Sequence, residues 1–190
     1  MDNARAVPAH LDELYSRSLI EARLAELAPV LDAWADEAVS ATGRPLLVVC
    51  FLRGGVFFFS DLLQRMRHSV EPGFCRAWSY AKAGNERPEQ STRLDWQGLA
   101  VAGRDVVLVD NICDSGRTLA AACMHTLGAG ARSVRSVVLV YRQRGDSVHT
   151  PTLAGFAYSG TEWLAGYGLR DREALMNAPV VYRVRGGTAG

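Results

Sequence analysis

Uninterrupted apolar runs alternate along this chain with amphipathic stretches. Pro45–Leu52 (PLLVVCFL) and the four apolar residues inside Asp105–Asp110 have the pattern of strands covered on both faces. Phe74–Tyr80, Ser133–Tyr141 and Val180–Val184 are further β-rich runs. Ser18 and Glu21 have the spacing of a capping box, and Ile20, Leu24, Leu27, Val30, Leu31 and Trp34 then recur at helical intervals. One or two amphipathic helices are therefore expected to open the chain, with a break near Pro29. Val56–His68 (VFFFSDLLQRMRH) and Gly116–Leu127 also have helical periodicity. Strands alternating with helices predict an α/β fold on a mostly parallel sheet.

Polar punctuation separates these elements. Thr42–Pro45 closes the first helical region, and Arg53-Gly54-Gly55 makes a glycine turn between strand and helix. Ala81–Arg93 is long, polar and contains Gly and Pro, which predicts a mobile surface loop, and Gly186–Gly190 reads as a frayed tail. There is no internal repeat. With 190 residues, 48% of them hydrophobic, a single domain with one proper core is expected.

Charge and cysteine usage narrow the range of partners. Twenty-one Lys and Arg against 20 Asp and Glu leave a net charge of +1, so no global field attracts nucleic acid or an acidic membrane, and small molecules are the expected partners. Cys50, Cys75, Cys113 and Cys123 lack metal-ligand spacing and read as reduced thiols of a cytoplasmic protein. The longest apolar run, Leu46–Phe59, is cut by the Arg53 turn and is too short to span a bilayer. The N-terminus has no apolar signal core.

The chemistry concentrates in Val106–Leu119 (VVLVDNICDSGRTL), where a buried-type strand runs into Asp110, Asn111, Asp114 and then Ser115-Gly116-Arg117-Thr118. In open α/β sheets, ligands bind beyond the carboxyl ends of the strands. Backbone N–H groups at the start of the helix after Gly116, the Ser115 and Thr118 hydroxyls and the Arg117 guanidinium suit a phosphate. Carboxylates in front of a phosphate are explained by hydroxyls. Asp110 and Asn111 suit a ribose, with Asp110 either accepting two hydrogen bonds or holding a hydrated Mg²⁺. The stretch reads as a sugar-phosphate cradle.

Val106–Leu119 closely resembles the phosphoribosyl-pyrophosphate signature of type I phosphoribosyltransferases, and the hypoxanthine-guanine branch matches best. That branch has a Leu-Lys-Gly-Gly loop before an aromatic helix and Asp-Leu-Leu, matched by Leu52-Arg53-Gly54-Gly55, Phe57–Phe59 and Asp61-Leu62-Leu63. Its catalytic loop begins with Ser-Tyr, as Ser79-Tyr80 does here, and its base-binding region is similar to Trp163-Leu164-Ala165-Gly166-Tyr167-Gly168. The resemblance runs in order from about Leu14 to Val184. It implies a twisted, mostly parallel sheet flanked by helices with a small C-terminal hood: residues 1–44 as an N-terminal helical segment, 45–150 as the core, 151–185 as the hood and 186–190 as the tail.

The resemblance also implies roles. Phosphoribosyl pyrophosphate would give up pyrophosphate to a purine nitrogen, with Mg²⁺ as cofactor. Asp114 would sit near N7 of the base as general acid–base, or cap the helix behind it, or both. Arg53 and Gly54 would meet the pyrophosphate at a peptide bond that is often cis in the family, and Asp110, Asn111 and Ser115–Thr118 would hold the sugar phosphate. Ser79 and Tyr80 would lead a lid that excludes water. Trp163 would stack on the base, the main chain of Leu164 would read its polar edge and Arg142 would donate to its C6 oxygen. Asp110 and Asp171 would serve the metal. The family forms dimers or tetramers.

Three positions depart from the pattern. Asn111 replaces the second acid of the pair, Arg170 precedes Asp171 where an Asp is usual, and Met176 replaces an Arg, with Arg170 and Arg172 nearby as substitutes. An extra Arg suits a more acidic base such as xanthine. The alternatives to a purine phosphoribosyltransferase are a regulatory protein that binds phosphoribosyl pyrophosphate without turnover and a transferase for a non-purine acceptor.

Overall fold

The structure, a computed structural model, describes residues 8–81, 90–170 and 175–188. In chain order the elements are β1 (Leu11–Tyr15), α1 (Arg17–Thr42), β2 (Leu47–Leu52), α2 (Val56–Leu63), β3 (Glu71–Ala81), β4 (Gln90–Asp95), β5 (Asp105–Cys113), α3 (Arg117–Gly128), β6 (Ser133–Arg142), β7 (Leu153–Tyr158), β8 (Glu162–Ala165) and β9 (Val181–Thr188). Six strands form one sheet in the order β4-β3-β2-β5-β6-β7, parallel except for the antiparallel edge strand β4. The antiparallel strands β1-β9-β8 form a separate small sheet, the hood.

The central strands read as continuous apolar runs because both of their faces are covered. Val48, Cys50, Val107, Val109, Val137 and Leu139 pack into one core with α1 and α2. Their neighbours Leu47, Val49, Phe51, Val106, Leu108 and Val138 pack into a second core with Leu119 and Ala122 of α3. The two-residue period of a strand thus feeds two layers at once.

Helix α1 is one continuous helix, not a pair broken near Pro29. Its buried stripe of Ile20, Leu24, Leu27, Ala28, Leu31, Ala35 and Ala38 runs through the proline. Pro29 and Ala25, whose carbonyl loses its helical partner, both lie on the exposed side, where the carbonyl is open to solvent. The cap also differs from the expected Ser18–Glu21 box. Ser16 Oγ accepts from Leu19 N–H at 3.2 Å, and Glu21 instead pairs with Arg17 at 2.5 Å.

Four other expectations change. Helix α2 ends at Leu63, short of His68. The polar stretch 81–93 is not all loop: residues 90–93 belong to β4, which pairs with β3 so that Ser79 lies opposite Thr92 and Tyr80 opposite Ser91, while residues 82–89 lie outside the described residues. The segment 1–44 is not purely helical, since β1 pairs with β9. Gly186–Thr188 extend β9 instead of fraying.

Candidate functional site

Parallel strands β2 and β5 are hydrogen-bonded neighbours, so their carboxyl-terminal loops open side by side. The first contains a cis peptide bond between Leu52 and Arg53. The second is the turn from β5 into α3. Gly116 caps α3 with φ +77°, and no side chain caps the helix, so Asp114 does not do so. Asp110 and Ile112–Leu119 line a cavity of about 230 Å³. Ser115, Gly116, Arg117 and Thr118 therefore surround one small polar pocket at a helix N-terminus, the geometry that receives an anion.

Asp110 stands at the mouth of β5. Its Oδ1 accepts the Asn111 N–H at 2.8 Å, yet burial dominates and pushes its carboxyl up to about 7. Next along the strand, Asn111 points the other way and is buried. Its side-chain amide packs between Gly54 and Gly168, where a Cβ on Gly54 would lie 2.7 Å from Asn111 Nδ2.

Asn111 faces a second cavity of about 500 Å³, lined by Arg53 and Gly54 of the cis turn, Arg76 of β3, and Trp163, Leu164 and Arg170 of the hood among others. Its described lining holds three arginines and no carboxylate. Trp163 is half-exposed, and its indole Nε1 donates to the Arg170 carbonyl at 2.8 Å. Sequence reasoning did not single out Arg76. It stands opposite Leu52 in the β2–β3 register, and only that pairing brings it to the turn.

Asp114 meets cations. Arg142 Nε is 3.1 Å and Arg144 Nη1 3.4 Å from its Oδ1. Arg144 is itself held by Asp146 at 2.8 Å. Arg142 is not part of the larger cavity's lining. It is buried, stacks over the Tyr158 ring at 5.2 Å, and donates to the carbonyls of Gly160 and, at 3.0 Å, Glu162. Ser79 and Tyr80 lie within β3, at the base of a hairpin. Asp171 and Arg172 lie outside the described residues.

Behind the hood turn, Tyr167 is buried with φ +48° and donates its hydroxyl to Asp61 Oδ2 at 2.6 Å. Burial and the Asp61 carboxylate raise its phenol far above the usual range. The four cysteines are free, and burial pushes Cys50, Cys75 and Cys113 up to about 12, which makes them inert packing groups. Among the described residues, no helix is long and apolar enough to cross a membrane.

A parallel sheet with an anion-receiving pocket at one strand end and an aromatic, cationic cavity beside it has the layout of an α/β protein with a two-part ligand site. The phosphoribosyl transferase domain model matches residues 10–153, and the chain belongs to that family. Hypoxanthine-guanine phosphoribosyltransferase of Lactococcus lactis is 33% identical over 140 residues, 73% of this chain and 75% of that protein. The bifunctional protein TilS/HprT of Listeria monocytogenes is 34% identical over 140 residues, but the chain spans only 21% of its length. A hypoxanthine phosphoribosyltransferase structure from Staphylococcus aureus superposes with TM-score 0.78 at 24% identity, covering 92% of this chain and 91% of that one, so the fold is shared.

Proposed function

We propose that the protein transfers the phosphoribosyl group of phosphoribosyl pyrophosphate to a purine base, releasing pyrophosphate and a nucleoside 5′-monophosphate in purine salvage. The observation that carries this reading is the adjacency of two cavities across the end of β5, with Asp110 on one and Asn111 on the other. The 5′-phosphate binds the Ser115–Thr118 pocket, and the ribose hydroxyls donate to Asp110. The leaving pyrophosphate meets Arg53 and the Gly54 turn. A purine nitrogen attacks C1 as the C1–O bond breaks, and the proton lost by the base passes to Asp114.

Asp110 has the chemistry of a Mg²⁺ ligand, being a half-buried carboxylate that lines the sugar pocket. The described residues hold no cluster of three or more His, Cys, Asp or Glu. That donor set fits an ion carried mainly by substrate phosphates and water. Such an ion, when bound, would neutralise charge on the leaving pyrophosphate.

Arg170, which stands beside Trp163 in the larger cavity, favours an acidic base such as xanthine over a neutral one. Release of pyrophosphate from phosphoribosyl pyrophosphate and Mg²⁺ in the presence of hypoxanthine, guanine or xanthine tests the reading. Binding of phosphoribosyl pyrophosphate without turnover of any base would replace it with a regulatory binding protein, which the buried Asn111 in place of an acid would then explain. Turnover of non-purine bases alone would redirect it to another acceptor. The same reading makes the protein a cytoplasmic homodimer or homotetramer.

A further inference from the structure

Arg142 connects two parts of the site that the sheet holds apart. At the end of β6, it is 3% exposed. One side of its guanidinium donates to the carbonyls of Gly160 and Glu162, which fixes the chain immediately before Trp163. Its Nε lies 3.1 Å from Asp114 Oδ1, an ion-pair contact in which the N–H has no linear hydrogen bond. Stacking on Tyr158 holds the guanidinium plane, and Tyr158 in turn donates to Glu162 Oε2 at 2.7 Å. A planar fork with fixed donors can span carbonyls and carboxylate at once, which an ammonium cannot.

We propose that Arg142 is a positioning residue that sets the distance between the aromatic base platform at Trp163 and the Asp114 carboxylate, so that base binding and proton transfer share one anchor. It touches no reacting atom. The inference rests on the proposed transferase reading for its kinetic consequence, but not for its effect on ligand binding.

The geometry predicts an asymmetric defect. Loss of the fork reaches the sugar-phosphate pocket through Asp114, which lines it but keeps Arg144 at 3.4 Å, so the anion-receiving turn behind it holds its place. The larger effect falls on the base side, where the Gly160 and Glu162 carbonyls before Trp163 lose the anchor that sets them relative to Asp114. Calorimetry with guanosine 5′-monophosphate and with ribose 5-phosphate separates the two sides, because the ligands differ only by the base. In Arg142→Met, guanosine monophosphate affinity falls at least about tenfold while ribose 5-phosphate affinity stays within about twofold. Arg142→Lys, which keeps the charge and can reach only one side of the fork, falls between the wild type and Arg142→Met.

Kinetics give the second readout. KM for the base rises and kcat falls in Arg142→Met, while KM for phosphoribosyl pyrophosphate is unchanged. Equal loss of both ligands, or of neither, in a protein with an intact thermal transition overturns the proposal. Full recovery by Arg142→Lys also overturns it, since charge alone would then suffice. If the wild type turns over no base yet the two affinities split as described, the transferase reading fails and the positioning role stands.

Discussion

Gly116 lies directly against the backbone of His149: a Cβ on Gly116 would sit 2.8 Å from both the amide nitrogen and the carbonyl oxygen of that residue. The loop between β6 and β7 thus backs the phosphate turn, a contact reinforced by the Val148 N–H donating to the Ser115 carbonyl at 2.9 Å. Gly116 also has φ +77°. Two independent constraints therefore demand glycine there.

Gly116→Ala tests both, and Gly43→Ala separates them. Gly43 has a similar φ of +68°, but nothing lies within 4 Å of the added Cβ. Gly43→Ala therefore carries only the left-handed backbone cost, about 1–3 kcal/mol, and keeps ribose 5-phosphate affinity. Gly116→Ala adds the clash, lowers the thermal midpoint further and weakens ribose 5-phosphate by more than about tenfold. Equal midpoints and equal affinities for the two variants would show that His149 does not press on the turn.

Asp110 gives a prediction about pH. Burial raises its carboxyl from 3.8 to about 7, so between those values the folded chain holds a proton that the unfolded chain has lost. The relative stabilisation is complete below 3.8, shrinks as pH rises and is gone above about 7. Asp110→Asn removes this dependence. Without ligand, the variant is therefore more stable than the wild type at pH 8, and the gap closes as pH falls toward 4. Ribose hydroxyls and Mg²⁺ favour the ionised form, so ribose 5-phosphate with Mg²⁺ binds the wild type more tightly as pH rises from 6 to 8. Thermal melts and calorimetry across that range read both effects, and a pH-independent difference would contradict the assignment.

The central sheet was legible in the sequence because β2, β5 and β6 are buried on both faces and so show uninterrupted apolar runs. The phosphate turn was legible because its residues are contiguous. Strands β1 and β8 were not, since each is short and gains its partner only by pairing with β9. The antiparallel edge strand β4 is polar, as an edge strand can be, and so resembled a loop. Pro29 misled because the rule against proline in helices holds only where the freed carbonyl is not open to solvent. Arg76 and Arg144 reach the site through register and through an ion pair with Asp146, relations that have no signature along the chain.

Acceptor preference follows from the arginine-lined cavity. Xanthine, which loses a proton more readily than hypoxanthine, is the better substrate by kcat/KM if the cavity charge governs selection. The Arg170 carbonyl accepts from the Trp163 indole, which keeps the residue beside the platform, and Arg170→Met removes its cation from the cavity. The loss of one charge-assisted hydrogen bond costs about 1.5–3 kcal/mol, or roughly tenfold to a hundredfold in kcat/KM for xanthine, with hypoxanthine little changed. A matching loss in KM for phosphoribosyl pyrophosphate would assign Arg170 to the leaving group instead.

Tyr167 and Asp61 fasten the hood turn to α2. The Tyr167 hydroxyl donates to Asp61 Oδ2 at 2.6 Å, and the Gly168 that follows is so close to Gly54 that a Cβ there would overlap the Gly54 carbonyl. Movement of the turn therefore shifts the wall of the larger cavity, while the phosphate pocket on the other side of β5 stays in place. Tyr167→Phe keeps the ring, including its contact with Phe57 at 6.4 Å, and removes only the donor. Asp61 is 26% exposed and keeps Arg17 at 4.0 Å, so the loss is that of one hydrogen bond partly replaced by water, about 1 kcal/mol, and the thermal midpoint drops by a few degrees. Asp61→Asn retains an oxygen that accepts from the phenol and should lose less. In both variants the KM values for the base and for phosphoribosyl pyrophosphate rise, because the pyrophosphate meets the Gly54 turn, while ribose 5-phosphate affinity is unchanged. If ribose 5-phosphate affinity falls as well, the turn supports the whole site and the separation between its two sides is wrong.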